Sequence, residues 1–425
     1  MSQRLLIEEG GVPLHGTYEL SADMQIGQLY LLAALAASEE VVINNFPDSP
    51  ATNKLIELIR FLGGSVEKKG PNQVVVQPEE LTTLAVPAGM LPDPEWGSLI
   101  LSILCMRYGE AAVAGLTHPP DLSRLGIESS FQGDFLVGRI DYPVQPEPAR
   151  LEYRLARPDN FVTASAVMAV VLRPGARVTL SNVAGGQLVN ALIDIVSVMG
   201  GRVVRLSDHE LEVEGVDRLS GGQITVPSSM DEAVVVATAT TVTYGDVEIK
   251  SIDQEDLVSF LAKLQQIGVQ YQLEGSGLRV WADKKSLFQP VHITTGWYPG
   301  FRSEWAGPMA VLLTQAQGES KIVEAIDQRE LEFADLLRQS GAEVQPFEHT
   351  AGHDGKRGIK IFGPTKLTGQ TLTFPPGYTC AVPLLIGLAA DGTSELKAYE
   401  QFLTRYPYML EKLIKLGAKI KLMEL

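Results

Sequence analysis

Cysteine is scarce in this 425-residue chain: Cys105 and Cys380 are the only two, each inside an apolar stretch. They exclude a disulfide framework and a cysteine-based zinc site, are read as core thiols, and make a reducing cytoplasm the expected compartment. Histidine is nearly as rare, at six residues. In "EHTAGHDGKRG" (348–358) His349 and His353 stand four apart, but Gly352 and Gly355 point to a hairpin loop rather than a metal-binding helix. No apolar run reaches the roughly 18 residues needed to cross a bilayer, and "MSQRLLIEEGGV" has no apolar signal core. Positive charge is short, 35 Lys and Arg against 51 Asp and Glu, a net charge of −16. That balance argues against nucleic acid, whose phosphates reward a basic face. A glycine-rich phosphate fingerprint after the first strand is also missing. No metal, cofactor or membrane is expected, and the expected partner is a small-molecule substrate bound by a monomer or small homo-oligomer.

What is abundant is repetition. An amphipathic helix running into glycine recurs in "LIELIRFLGGSV" (55–66), "LIDIVSVMGGRVV" (192–204), "LVSFLAKLQQIGVQY" (257–271), "FADLLRQSGAEV" (333–344) and "YMLEKLIKLGAKI" (408–420), with a weaker form in "DLSRLGIES" (121–129). Its glycines, Gly63, Gly126, Gly200, Gly268, Gly341 and Gly417, are 63, 74, 68, 73 and 76 residues apart, longer than a solenoid repeat. Each suits the left-handed position after a helix. Between them lie six segments apolar nearly all round, which predicts buried helices: 24–37, 96–109, 161–172, 230–245, 304–318 and 378–392. A short strand follows each. The repeat therefore reads βαβαββ, six times. Three repeats can close into one globule with the apolar helices inside, and two globules use the chain. A doubly wound α/β sheet also alternates helices and strands, but does not require sixfold self-similarity.

At this point the chain resembles the enolpyruvyl (carboxyvinyl) transferase family, which includes UDP-N-acetylglucosamine 1-carboxyvinyltransferases and EPSP synthases. The resemblance spans the whole chain and is tightest in "GTYELSADMQIGQLYLLAALAASEEVVINNFP" (16–47), "FRSEWAGPMAVLL" (301–313) and "LEKLIKLGAKI" (410–420). It implies two inside-out α/β barrels, one from residues 1–22 plus 230–425 and the other from 23–229, with substrates in an interdomain cleft. The family's reaction joins phosphoenolpyruvate to a hydroxyl, and such a trianion needs several Lys or Arg, placed mostly at the starts of the buried helices.

Those positions are mostly not basic here. The family's first-helix lysine falls at Met24, with Gln25 beside it, and the second-helix arginine at Glu95. The loop that would carry a catalytic cysteine and an arginine is only "THPP" (117–120), which leaves His118 as a candidate catalytic group facing the cleft. Later arginines fall at Glu330 beside Arg329, at Tyr378, and at Thr404 beside Arg405. Arg157 matches a residue set against a diphosphate, Glu304 the general base on the acceptor hydroxyl, and Asp231 a further acidic position. Acids instead stand at the helix starts: Asp23, Asp93, Glu95, Asp159, Asp231, Glu232 and Glu304. Helix capping accounts for Asp93, Asp159 and Asp231, but not for the missing cations. "GWYPGFR" (296–302) reads as an aromatic stacking floor or as a packed turn.

Three readings follow. In the first, the chain is a diverged enzyme of this family acting on a small polar or nucleotide-linked substrate, with Glu304 as base and Arg157 as anion contact. In the second it is a working carboxyvinyl transferase that recruits Arg329, Arg405, Arg302 and Arg107. In the third it is a non-catalytic ligand-binding or regulatory protein. Expected site residues are Glu304 and His118 for chemistry, and Arg157, Gln25, Asp231, Arg329, Arg405, Glu95 and Tyr378 for substrate.

Overall fold

The six apolar segments fold as helices buried on every side, because none offers a polar stripe to water. They are α1 (Met24–Ala34), α2 (Gly97–Tyr108), α3 (Asn160–Val171), α4 (Met230–Val242), α5 (Ala306–Leu313) and α6 (Val382–Ala389). Every residue of α4 and of α5 is buried. This architecture comes from a computed structural model, which describes residues 4–77, 80–116, 119–140, 150–326, 331–349, 356–375 and 377–423.

Two compact units result, one of Met1–Ser21 with Ser228–Leu425 and one of Ala22–Pro227. Each holds three buried helices surrounded by three four-stranded sheets, an inside-out α/β barrel, and each has its own apolar core. Within every sheet the first two strands are parallel and the others antiparallel, as Arg150–Arg154 beside Arg177–Ser181, then Glu210–Glu214 and Arg202–Ser207 illustrate. Outward positions carry cross-strand ion pairs, such as Arg279 with Asp246 at 2.7 Å and Arg177 with Glu212 at 2.7 Å. Inward positions are apolar, the alternation expected of a sheet wet on one face.

The chain completes two repeats out of order. Strand Gly222–Thr225, the last of its unit, lies parallel to Val41–Asn44 and so serves as first strand of the repeat containing α1. Strand His15–Glu19 does the same for Asp246–Lys250, after α4. Where the chain leaves one unit and returns, the passing segments bond: Asp23 N donates to Pro227 O at 2.8 Å, and Ser229 N to Ser21 O at 2.9 Å. Arg4–Glu9 closes the last repeat between Ser394–Lys397 and Lys419–Met423.

All six repeat glycines have positive φ, between +86° and +111°. Five follow amphipathic helices or their remnants. The second repeat differs: "DLSRLGIES" forms only the 3-10 turn Ser123–Leu125. Asp121 there accepts from Ser123 N at 3.0 Å and Ser123 Oγ at 2.7 Å, a local turn that competes with helix. Without a covering helix, Phe131 on strand Glu128–Gln132 is 54% exposed although its cross-strand neighbour Leu136 is buried.

Candidate active site

In the unit of Met1–Ser21 and Ser228–Leu425, the first turn of α4 gathers the charged groups. Ser229 caps the helix, its Oγ accepting from Glu232 N at 3.4 Å. Asp231 is therefore not a cap, contrary to the reading from sequence. Its carboxylate is 5% exposed and faces other elements. Oδ1 accepts from Trp305 Nε1 at 2.9 Å and lies 3.2 Å from Arg302 Nη2, while Oδ2 accepts from Arg405 Nη2. Burial pushes the Asp231 carboxyl up, but Arg302, Arg405 and then the indole bond outweigh it and hold it below its usual value. Both guanidiniums also lie over rings, Arg302 5.1 Å from the Trp305 centroid and Arg405 5.9 Å from that of Tyr406.

Local structure fixes these groups. "GWYPGFR" is a packed turn, with Gly300 N donating to Trp297 O at 2.7 Å and Gly296 N to Phe301 O at 2.8 Å. Phe301 then packs edge-on against Trp305 at 5.7 Å, which sets Arg302 beside the 3-10 turn Ser303–Trp305 that opens α5. Glu304 in that turn is partly exposed, and its Oε2 lies 3.7 Å from Arg302 Nε. Arg302, Arg405, Asp231 and Glu304 together carry two positive and two negative charges.

Sequence reasoning missed the neighbouring cluster on Glu232. This 2% exposed carboxylate accepts from Ser21 N at 2.8 Å, Ser21 Oγ at 3.0 Å and the Tyr18 hydroxyl, with Lys412 Nζ at 3.5 Å. Lys412 also donates to Ser21 Oγ at 2.6 Å and Glu19 O at 2.7 Å. Burial, and then Glu232, push the Tyr18 hydroxyl well above its usual range. Glu324, fully buried, was missed too. It accepts from Thr295 Oγ1 at 2.7 Å, Ser303 Oγ at 2.8 Å and Ile326 N at 2.8 Å, and so anchors the turn that carries Glu304. The signal in sequence was the place of Glu232 among the acids at the buried-helix starts; nothing there pointed to Tyr18, Ser21 or Lys412 as its partners.

In the unit Ala22–Pro227, Trp96 donates Nε1 to Gln28 Oε1 at 2.5 Å and meets Phe161 edge-on at 4.7 Å, which draws the starts of α1, α2 and α3 to one end. Asp23 caps α1, accepting from Ile26 N at 3.0 Å, and Gln25 follows it, half-buried. Asp93 accepts from Glu95 N at 2.9 Å, and Glu95 is exposed. Asp159 caps α3 through Phe161 N and Val162 N, while its Oδ2 lies 3.2 Å from Arg157 Nη2. In segments 22–25, 93–97 and 157–161 Arg157 is the one cation, against four acids.

The remaining expected residues divide three ways. His118 and Arg329 lie outside the described residues, as does His353. Tyr378 opens the 3-10 turn Tyr378–Ala381 before α6. Arg107, in the last turn of α2, donates to Leu35 O. Among the described residues no group of three or more His, Cys, Asp or Glu is placed to hold a metal ion, and no helix is long and apolar enough to cross a membrane. An open groove of about 500 Å³ on the outward face of the sheet around Asp246 is polar, lined by His15, Glu248, Glu274 and the paired Asp246 and Arg279.

Residues 134–372, more than half of the chain, match the family described as EPSP synthase (3-phosphoshikimate 1-carboxyvinyltransferase). The chain belongs to the enolpyruvyl transferase family. Relatives along its full length include UDP-N-acetylglucosamine 1-carboxyvinyltransferase 2 of Streptococcus thermophilus, 26% identical and covering 99% of this chain and 100% of the relative. UDP-N-acetylglucosamine 1-carboxyvinyltransferase 3 of Caldanaerobacter subterraneus is 28% identical, covering 97% of each. Among solved structures, the enolpyruvyl transferase NikO from Streptomyces tendae superposes with a TM-score of 0.85 at 20% identity, over 100% of this chain and 99% of that one. EPSP synthase from Acinetobacter baumannii gives 0.72 at 14% identity, over 99% and 100%. The shared fold is that of the two inside-out barrels.

Proposed function

We propose that this chain is a diverged enolpyruvyl transferase, an enzyme acting on a small polar or nucleotide-linked substrate. Glu304 is its general base toward an acceptor hydroxyl, and Arg157 contacts an anionic part of the substrate. The observation that carries this reading is the tie of Arg302 and Arg405 to one buried carboxylate, Asp231. A phosphoenolpyruvate trianion requires cations that can turn toward it. Drawing either guanidinium away would leave Asp231 buried with less compensation, a loss on the order of 3–5 kcal/mol for a buried pair broken by removing one partner. In the unit Ala22–Pro227, the segments that open α1, α2 and α3 offer such a trianion four acids and one cation, Arg157. A half-buried Glu304 with a nearby guanidinium is suited to take a proton from a hydroxyl brought within hydrogen-bond reach. The names of the full-length relatives support a nucleotide-linked sugar as the substrate class.

A second reading is favoured by one specific observation. Arg302 and Arg405 do meet, as a carboxyvinyl transferase with relocated arginines requires. The two are separated by incubating the full chain with phosphoenolpyruvate and a panel of nucleotide-linked and simple hydroxyl acceptors, following phosphate release and product mass. The diverged reading expects no phosphate release with UDP-N-acetylglucosamine, and turnover of another substrate that Glu304→Gln abolishes. Phosphate release with UDP-N-acetylglucosamine refutes it in favour of the second reading. Binding without turnover, unaffected by Glu304→Gln, refutes both in favour of a non-catalytic protein.

A further inference from the structure

Two guanidiniums that converge at the start of a buried helix form an anion site by their chemistry: planar forks, weakly hydrated, permanently charged. Here the converging anion is already part of the protein. Asp231 uses both oxygens, receives the indole of Trp305 as a third donor, and is almost wholly buried. Arg302 and Arg405 are still partly exposed, at 24% and 18% of the side chain. Each guanidinium has five N–H donors, so its bond to Asp231 does not exhaust it. What Asp231 removes is net charge. With Glu304 beside Arg302, these four groups sum to zero, so together they offer no net attraction to a negative charge that a ligand brings.

We propose that Asp231 is the residue that sets ligand charge at this site: by holding Arg302 and Arg405 together it admits hydroxyl, amide or single-carboxylate groups to their outer edges and rejects a multiply charged phosphate. This deepens the diverged-enzyme reading and rests on it for the claim that the site receives substrate. The selectivity follows from electrostatics, since Asp231 and Glu304 offset the attraction of the two guanidiniums while the cost of desolvating a ligand rises with its charge.

The test is titration of the full-length protein with inorganic phosphate and, separately, with acetate, by calorimetry at low ionic strength. The wild type is expected to bind phosphate no more tightly than acetate. Asp231→Asn keeps the shape and removes the charge, and is expected to bind phosphate at least tenfold tighter (about 1.4 kcal/mol) while acetate improves less. Submillimolar phosphate binding by the wild type, or unchanged phosphate affinity in Asp231→Asn, overturns the proposal. If Asp231→Asn does not fold, Glu304→Gln removes the other, more exposed anion of the group. It is expected to raise phosphate affinity several-fold, and no increase there overturns the proposal equally. Turnover plays no part in this readout. A chain inactive on every acceptor fails the enzymatic reading without touching the charge rule, and an active chain with unchanged phosphate affinity fails the charge rule alone.

Discussion

Replacing Trp305 by Phe tests whether the indole bond to Asp231 holds this site together. The ring remains large enough to pack against Phe301 and Phe260, but the N–H donated at 2.9 Å is lost. A bond to a charged acceptor contributes about 1.5–3 kcal/mol. The smaller ring also leaves a void in a 1% exposed position, adding roughly 1–2 kcal/mol, so the total cost is about 2.5–5 kcal/mol. Packing and bond are separated by a double-mutant cycle with Asp231→Asn. In that background the same ring change loses a bond to a neutral carbonyl, about 0.5–1.5 kcal/mol, and a coupling of about 1–1.5 kcal/mol remains. The charge makes the coupling depend on pH. Because Arg302, Arg405 and Trp305 hold the carboxyl below its usual value against the effect of burial, its stabilisation is fully present above the unfolded-state pKa near ~3.9. It is lost as pH falls through the lower folded value. Two units make a global melt a poor measure, whereas hydrogen exchange of amides within Met230–Val242 reads the opening of α4 itself. Additivity within 0.3–0.5 kcal/mol, or a coupling that grows on acidification from pH 7 to pH 4, would refute the reasoning.

Arg405→Ala removes one of two guanidiniums from Asp231 and should cost stability near the lower end of about 3–5 kcal/mol, since Arg302 and Trp305 remain; hydrogen exchange of amides in this unit checks this, and Arg405→Lys should lose less. Gly245→Ala would put a Cβ 2.2 Å from Leu14 O, forcing strand His15–Glu19 away from Asp246–Lys250 at roughly 3 kcal/mol or more. Gly275→Ala, in open space with φ +58°, should cost only about 1–2 kcal/mol in the same assay. Burial pushes the Cys105 thiol up to about 12, with a backbone hydrogen bond at Ala111 opposing in part, so at pH 8 the folded protein should leave it unreacted with a disulfide reagent that modifies it promptly in urea. Gln28→Glu should bury a carboxyl with no cation to pair it, destabilising by several kcal/mol at pH 7 and much less near pH 4, where it is mostly protonated even in the unfolded chain; equal hydrogen-exchange protection of the Met24–Ala34 amides at the two pH values, after correction for intrinsic rates, would contradict this.

Local rules made the fold legible and long-range charge made the site opaque. Gly63 and its five counterparts announce themselves because a left-handed residue after a helix has few alternatives to glycine. The buried helices do so because an all-apolar segment has no wet face to offer. The second repeat misled because a weak helix pattern over 121–129 competes with the turn that Asp121 makes with Ser123, a balance set by one side chain. Asp231 misled for a different reason. "SSMDEA" contains three acceptable caps, Ser228, Ser229 and Asp231, within four positions, and local sequence cannot choose among them. The choice is made by Arg302 and Arg405, 71 and 174 residues further on, whose guanidiniums need a carboxylate that is not already occupied as a cap. Lys412 is the same case, a surface-patterned helix residue that in fact reaches Ser21 across 391 positions.

Trp96 and Trp305 make the underlying rule visible. Each follows a Glu in a 3-10 turn that opens a buried helix, and each donates its indole N–H to a residue on the first buried helix of its own unit. An indole in a core needs an acceptor, and any acceptor will do. In the unit Ala22–Pro227 the acceptor is Gln28, a neutral amide, and among the described residues nothing cationic is tied to it. In the other unit it is Asp231, and an ionised carboxylate there is tolerable only with compensating charge, which Arg302 and Arg405 supply. The requirement runs both ways. Two guanidiniums on aromatic faces near a helix start would repel each other and the helix dipole without that carboxylate. Ligand or protein must therefore provide the anion, and in this chain the protein provides it.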